Sequence, residues 1–308
     1  MDACIDLMEK LFRDEAAGLA ESRPRQHLSP PSGGFLRVMI GAAYGEDAFG
    51  LKTYAAVRGG PRYLVLLYRA STAELLAIVE ARYLGQVRTG AAAGVATRYL
   101  ARPDATRLAI IGSGREARAQ LEAMLEVRSI ESVRCYSRSA ERREQFAREM
   151  TSKFGVSVEA VQTGTECVAG ADVVCTITSA NTPVLEGAWL EPGMHLNAIG
   201  ATSLYRREID AEAVRRADRI VVENIEQAKH ECGELIYAAE RGSLRWPTVL
   251  ELRQLVGGEG IAGRRQPDEI TLFDGLGVAA MDVAGAAHVY RQAQATGMGV
   301  ELPIPARV

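Results

Sequence analysis

Apolar positions recur at helical spacing at the start of the chain, where Ile5, Met8, Phe12 and Leu19 would share one face of an amphipathic helix over residues 3–20. The stretch SRPRQHLSPPSGG then breaks any period with three prolines and a glycine pair. From Phe35 to about Ile78 the pattern shortens to β-type runs: FLRVMIGAA, FGLKTYAAV, RYLVLLYR and LLAIV. Glycine-rich or polar turns separate them, which predicts an antiparallel meander. VRTGAAAGVATRYLAR is Ala-rich and predicts a helix that RPD at 102–104 ends.

After Pro103 the rhythm changes. RLAIIG, SVRCYS, VSVEAV, DVVCTIT and HLNAIG read as strands, and charged segments of helix length separate the first four. That alternation predicts a parallel, doubly wound sheet. RIVVE at 219–223 is a further strand, followed by helical segments to about residue 255, a loop GGEGIAGRRQPDE, and one long closing helix GLGVAAMDVAGAAHVYRQAQATG. The expected fold is α/β: a Rossmann-type doubly wound parallel sheet at 102–277, inserted into a smaller α+β substrate and dimerisation domain built from 1–101 and 278–308.

Composition narrows the class. The chain has 308 residues and a net charge of −3, enough for two cores and without the clustered positive field that a nucleic-acid partner needs. The N-terminus carries Asp2, Asp6 and Glu9 within its apolar pattern, unlike a secretory signal, and no apolar run approaches a bilayer span. Five scattered cysteines without CxxC spacing fit free thiols in a reducing compartment. The expectation is a cytoplasmic enzyme with no membrane partner.

The stretch IIGSGREARAQ carries the first candidate chemistry. Gly112-x-Gly114-x-x-Ala117 follows a strand and opens a helix, the context a dinucleotide loop requires. Gly112 permits the tight turn, Gly114 the approach of a pyrophosphate, and Ala117 close packing of helix on sheet. Arg115 and Glu116 follow the loop; Thr178, Ser179, Gly200 and Thr202 stand at or just beyond the carboxyl ends of later strands and complete the candidate cofactor set. The second strand ends in CYSRSAERR, where an NAD site would place an acid. Ser137, Arg138 and Ser139, with Arg142 and Arg143 nearby, would instead bind a 2′-phosphate, so NADP(H) is expected over NAD(H). The competing reading is that these arginines merely solvate a helix start.

The substrate side rests on isolated cations. Arg88 is expected at the start of the Ala-rich helix, where guanidinium and helix dipole together would hold a carboxylate. Ala91, Ala92, Ala93 and Gly94 form a small face for close backbone approach. Lys52 sits among apolar neighbours; it is either a buried ammonium needing an anion or an edge-strand lysine that deters aggregation. Arg25 by itself is a loop arginine. His230, Cys232 and Glu234 in KHECGEL match no common zinc spacing and read as a solvated helix end, so no metal is expected. His27, His195 and His288 are isolated, and His195 reads as structural. Cys135 and Cys175 read as small buried hydrophobes in central strands.

LGQVRTGAAAGVATRYLARPDATRLAIIGSGREARAQLEAMLEVR, NAIGATSLYRREID, VVENIEQAKHECGEL and TLFDGLGVAAMD together resemble the ornithine cyclodeaminase/mu-crystallin family over nearly the whole chain. The resemblance implies a homodimer joined through the N-terminal domain, a nicotinamide dinucleotide between domains, and Arg88, Lys52 and Arg25 as ligands of an amino- or imino-acid carboxylate. It places Met39 in the substrate pocket and Thr89 near the cofactor. Asp282 matches a family acid, for which a structural or interdomain role is expected. Cyclodeaminases carry acids at two positions held here by Arg37 and Thr202, so the machinery for ring closure with ammonia loss is incomplete. The reductase-like branch fits better: NADPH-dependent reduction of a small α-imino acid such as Δ1-pyrroline-2-carboxylate or its six-membered homologue, with Lys52 or a water as proton donor. A cyclodeaminase, an alanine-dehydrogenase-like or opine-type reductive amination, and a nucleotide-binding protein without turnover are the alternatives.

Overall fold

Eight short apolar runs line up in parallel to form the larger of two sheets in the computed structural model, which describes residues 1–31, 33–57, 60–258 and 260–302. The N-terminal part comprises α1 (Asp2–Ala16), β1 (Ala20–Ser22), β2 (Gln26–Leu28), β3 (Phe35–Ala43), β4 (Ala48–Ala56), β5 (Arg62–Arg69), β6 (Leu75–Glu80) and α2 (Arg82–Leu100). There follow β7 (Arg107–Ile111), α3 (Arg115–Val127), β8 (Ser132–Tyr136), α4 (Ala140–Phe154), β9 (Ser157–Ala160), α5 (Gly164–Val168), β10 (Val173–Thr176) and β11 (His195–Ala198). The last part holds α6 (Ala211–Arg216), β12 (Arg219–Val222), α7 (Ile225–Glu231), α8 (Gly233–Glu240), β13 (Leu250–Glu251), α9 (Leu252–Val256), β14 (Thr271–Asp274) and α10 (Ala279–Thr296).

The parallel sheet has the order β13-β12-β14-β11-β10-β7-β8-β9. From β7 the chain first winds outward through β8 and β9, then returns to β10 and winds the other way. The reversal lies between β7 and β10, and the crevice above their carboxyl ends is where such sheets take ligands. Central strands such as β7 and β10 are buried almost throughout, as expected when helices cover both faces.

Strands β1 and β3 to β6 form an antiparallel sheet in the order β1-β3-β4-β5-β6, with β2 also on β3. Its inner face packs on α10 and carries Met39, Lys52 and Val65 in one cross-strand row. Its outer face carries Ile40, Leu51, Leu66 and Ile78 in another. Ile40 is 53% exposed and Ile78 45%. Two of the four are thus uncovered apolar side chains.

Helix α2 joins the two parts. It is buried nearly all round, which its small residues permit. A Cβ at Gly90 would stand 2.5 Å from the carbonyl oxygen of Ala119 on α3, and one at Gly94 3.1 Å from Ile5 on α1. Helix α3 therefore meets α2 at backbone distance, and the Ile5 side chain of α1 packs onto Gly94.

Several expectations are corrected. The first helix stops at Ala16, because Gly18 turns the chain at a φ of +74°, and Leu19 is exposed rather than on the buried face. The proline-rich stretch contains the short strand β2, and β1 ends on its first residue, Ser22; both pair with β3, whose ladder overrides weak local propensity. TLFD forms the buried strand β14 between β11 and β12, and α10 begins only at Ala279; the positive φ of Gly277 separates the two. Between β10 and β11 the chain forms a 3-10 turn, Gly187–Trp189, in keeping with charged segments of helix length being expected only between the first four strands.

Candidate active site

A cleft of about 910 Å³ opens over the carboxyl ends of β7, β10 and β11 and is closed on its other side by β3, β4, β5 and the start of α2. It brings together residues far apart in sequence. One half is the glycine loop. Gly112 holds a φ of +125°, and a Cβ there would lie 2.3 Å from the carbonyl oxygen of Ile177, so only glycine fits. Gly114 faces open space and is the N-cap of α3 with no side-chain cap, which leaves the N–H groups of the first turn for an anion. Ala117 is buried beneath and does not line the cleft.

Thr89, Arg115, Glu116, Ser137, Arg138, Ser139, Thr178, Ser179, Gly200 and Thr202 all line the same cleft. Arg115 and Glu116 pair with each other. Ser139 accepts from the Arg142 N–H as N-cap of α4, which occupies part of its hydrogen-bonding capacity. Arg143 does not reach the cleft. Its guanidinium donates to the Ser137 carbonyl and to Gln162 behind the loop, and Arg142 lines the opening instead. No Asp or Glu lines the opening beside Arg138 and Arg142 among the described residues. The cleft therefore offers an uncapped helix start, a glycine turn with no room for a side chain, and a cation pair, which together fit a dinucleotide.

The other half is built on Asp282. This residue lies in the first turn of α10, fully buried, and accepts from Lys52 Nζ at 2.7 Å and from Arg88 Nε at 3.1 Å. Burial works to raise the Asp282 carboxyl, but Arg88 and Lys52 overcome it and hold it below the ordinary carboxylate range. Burial brings Lys52 down to about 8 against the pull of Asp282, with Arg88 adding to the fall. The edge-strand reading of Lys52 is thus overturned, since it faces inward and is 4% exposed.

Arg88 is not at a helix start. Helix α2 begins at Arg82, because the segment before Arg88 continues the helix through Gly85, and the dipole argument for Arg88 falls. Gly85 has another use: a Cβ there would lie 3.2 Å from Lys52 Nζ. Gly277 likewise leaves room for Arg88, whose Nη1 would be 2.3 Å from a Cβ at that position. Both Nη groups of Arg88 lack a hydrogen-bond partner among the described residues and face the cleft. Arg25 joins them from the loop before β2. It donates to Glu231 at 2.8 Å and to the carbonyls of Leu276 and Gly277. Met39 forms the floor opposite Lys52.

Two buried acids that sequence reasoning missed hold the loops of this site. Glu208 accepts from the N–H groups of Thr178 and Gly200. Glu223 accepts from those of Leu276 and Gly277, at 2.8 and 3.0 Å. Glu223 follows β12 in an otherwise apolar run, and that was the available signal.

KHECGEL is not a solvated helix end. Cys232 and Glu234 are buried against Asp274, with ligand atoms within 4.8 Å of one another, while His230 is exposed. Burial raises both carboxyls above the ordinary carboxylate range. His195 is buried away from the cleft and hydrogen-bonds Thr271 at 2.9 Å; burial lowers its pKa to about 3, which keeps it neutral.

The sequence matches the ornithine cyclodeaminase/mu-crystallin family over residues 1–297. A Delta(1)-pyrroline-2-carboxylate reductase of Bacillus cereus is 36% identical over 270 residues, which cover 85% of this chain and 82% of the relative. Among solved structures, the Thermococcus litoralis Delta(1)-pyrroline-2-carboxylate reductase in complex with NADH and L-proline gives a TM-score of 0.92 at 31% identity, covering 97% of this chain and 95% of that one. An archaeal alanine dehydrogenase dimer with bound NAD gives 0.91 at 33% identity, covering 98% and 94%.

Proposed function

The chain belongs to the ornithine cyclodeaminase/mu-crystallin family, and from that premise we propose that it reduces the C=N bond of a small α-imino acid, such as 1-pyrroline-2-carboxylate, to the L-amino acid. The observation that carries this reading is the pair of cations on Asp282, with the Nη groups of Arg88 open to the cleft beside the glycine loop. A nicotinamide dinucleotide held by the loop of Gly112 and Gly114 supplies the hydride that adds to the imine carbon. Arg88, with Arg25, grips the carboxylate and sets that carbon at the cofactor side of the cleft. As the carbon gains its new bond, the C=N pair moves to nitrogen, which takes a proton from Lys52 Nζ. One ammonium can serve both groups, because the nitrogen and the carboxylate of an α-imino acid are attached to the same carbon.

Arg37 and Thr202 stand in the cleft where a cyclodeaminase carries acids, and Glu116 is the only acid lining it among the described residues. That disfavours the lyase alternative. Oxidation of NADPH on mixing with cyclic imines, or with pyruvate or glyoxylate plus ammonia, tests the proposal. Ammonia release from ornithine without net change in cofactor would replace it by the lyase, and tight binding with no oxidation by a protein without turnover.

For the cofactor, Arg138 and Arg142 beside the N-terminus of α4 favour NADP(H) over NAD(H). KM for NADPH is expected to lie about tenfold below that for NADH, and Arg138→Ala to erase the gap. A lower KM for NADH in the unaltered enzyme would dismiss the preference.

The outer row of Ile40, Leu51, Leu66 and Ile78, in which Ile40 and Ile78 are uncovered, supports a homodimer through the antiparallel sheet. The double variant Ile40→Glu, Ile78→Glu is expected to halve the mass seen by light scattering; an unchanged mass would place the contact elsewhere. No helix of the described residues is long and apolar enough to cross a membrane. A cytoplasmic location agrees with five free cysteines.

A further inference from the structure

We infer that the substrate carries a second acidic group and that Arg37 is the residue that selects it. This rests on the imine-reductase reading and names its substrate class. Three of the cations at the substrate end are already matched: Lys52 and Arg88 share Asp282, and Arg25 holds Glu231. Arg37 is not. Among the described residues no carboxylate lies within ion-pair distance of it, and its one hydrogen bond, from Nη1 to the Tyr54 hydroxyl at 3.5 Å, is marginal. Glu231 feels the charge of Arg37, but its carboxylate is bonded to Arg25 and Gln227.

The guanidinium of Arg37 is held rather than loose. Its Cζ lies 5.1 Å from the ring centre of Phe35 and 5.8 Å from that of Tyr54. Lys52 Nζ lies 5.9 Å from the same Tyr54 ring, so the two cations flank one aromatic wall of the cleft. In the sheet, Met39 pairs with Lys52 and Arg37 with Tyr54, one inward-facing position further along β3. Two residues of a strand span about 7 Å. A molecule whose α-carboxylate sits at Arg88 and Lys52 and whose side chain runs along Tyr54 therefore meets Arg37 with its far end. A diacid of four or five carbons spans that gap, and its distal carboxylate supplies the anion that Arg37 lacks. A monoacid leaves the guanidinium unmatched.

The test compares substrates of equal length that differ only in the distal group. NADPH oxidation with ammonia is measured for 2-oxoglutarate and 2-oxopentanoate, and binding of L-glutamate and L-norvaline to the enzyme saturated with NADP+ is measured by calorimetry. The diacid member is expected to win by about tenfold or more in both readouts. Arg37→Met should remove the preference without weakening the monoacid, and Arg37→Lys should keep part of it. Equal handling of the two members by the unaltered enzyme, or a parallel loss for both in Arg37→Met, overturns the inference and makes Arg37 part of the α-carboxylate grip. If no imine is reduced but L-glutamate still outbinds L-norvaline through Arg37, the selectivity stands and the reductase reading falls.

Discussion

Arg88→Ala is expected to lower kcat/KM for the imine by two to three orders of magnitude, about 3–4 kcal/mol of transition-state binding. The loss has two sources. The variant removes a guanidinium whose Nη groups have no partner among the described residues and lie beside Lys52 at the cleft, and it leaves Asp282 buried with Lys52 as its one remaining partner among them. Most of the loss should fall on KM, because a carboxylate grip acts on bound substrate and transition state alike. Binding of NADPH should change by no more than about twofold, since Arg88 is bonded to Asp282 and makes no hydrogen bond to the glycine loop among the described residues. Arg88→Lys keeps the charge but not the fork, and should recover only part of the activity. Initial rates over a range of imine, with cofactor affinity from fluorescence titration, check the split. A parallel collapse of cofactor binding would show that Arg88 holds the architecture rather than the acid.

Why Arg88 could be picked from the sequence and Asp282 could not be given its role is a matter of range. The strand–glycine–helix pattern around Gly112 is local, and β7 and α3 follow from it directly. The six strands read from apolar runs between 107 and 222 all form. The missed strand β14 is four residues long and runs into a glycine-rich turn, so its pattern resembles the start of the helix that follows. Asp282 is one acid in an Ala-rich helix; its meaning appears only when α10 packs beneath β4 and places it 2.7 Å from a lysine 230 positions away. Glu208 is hidden for the same reason, and Glu223 shows only as an acid at the end of an apolar run, since each binds backbone of loops distant in sequence. The departures at Arg37 and Thr202 were legible as single letters, but the letters do not say that Arg37 lies against two aromatic rings with no ion-paired acid among the described residues.

Lys52→Met should reduce kcat by about a hundred- to ten-thousand-fold, the range a positioned acid contributes. Its pH dependence distinguishes proton donation from packing. Lys52, brought by burial to about 8, is charged below that pH and neutral above it. As the donor it is competent in the charged form, so kcat should hold on the acid side and fall as pH rises through about 8. Asp282→Asn removes the buried anion that pulls the Lys52 pKa upward, while Arg88 and burial continue to push it down. The alkaline limb must therefore move to lower pH in that variant, and Asp282→Glu should return it toward its original position. The imine has a titration of its own, so the limb is compared in kcat/KM, where only the free imine's titration enters and is the same for every variant. A limb that stays fixed between the unaltered enzyme and the Asp282→Asn variant would assign it to the imine and leave Lys52 as a carboxylate ligand alone.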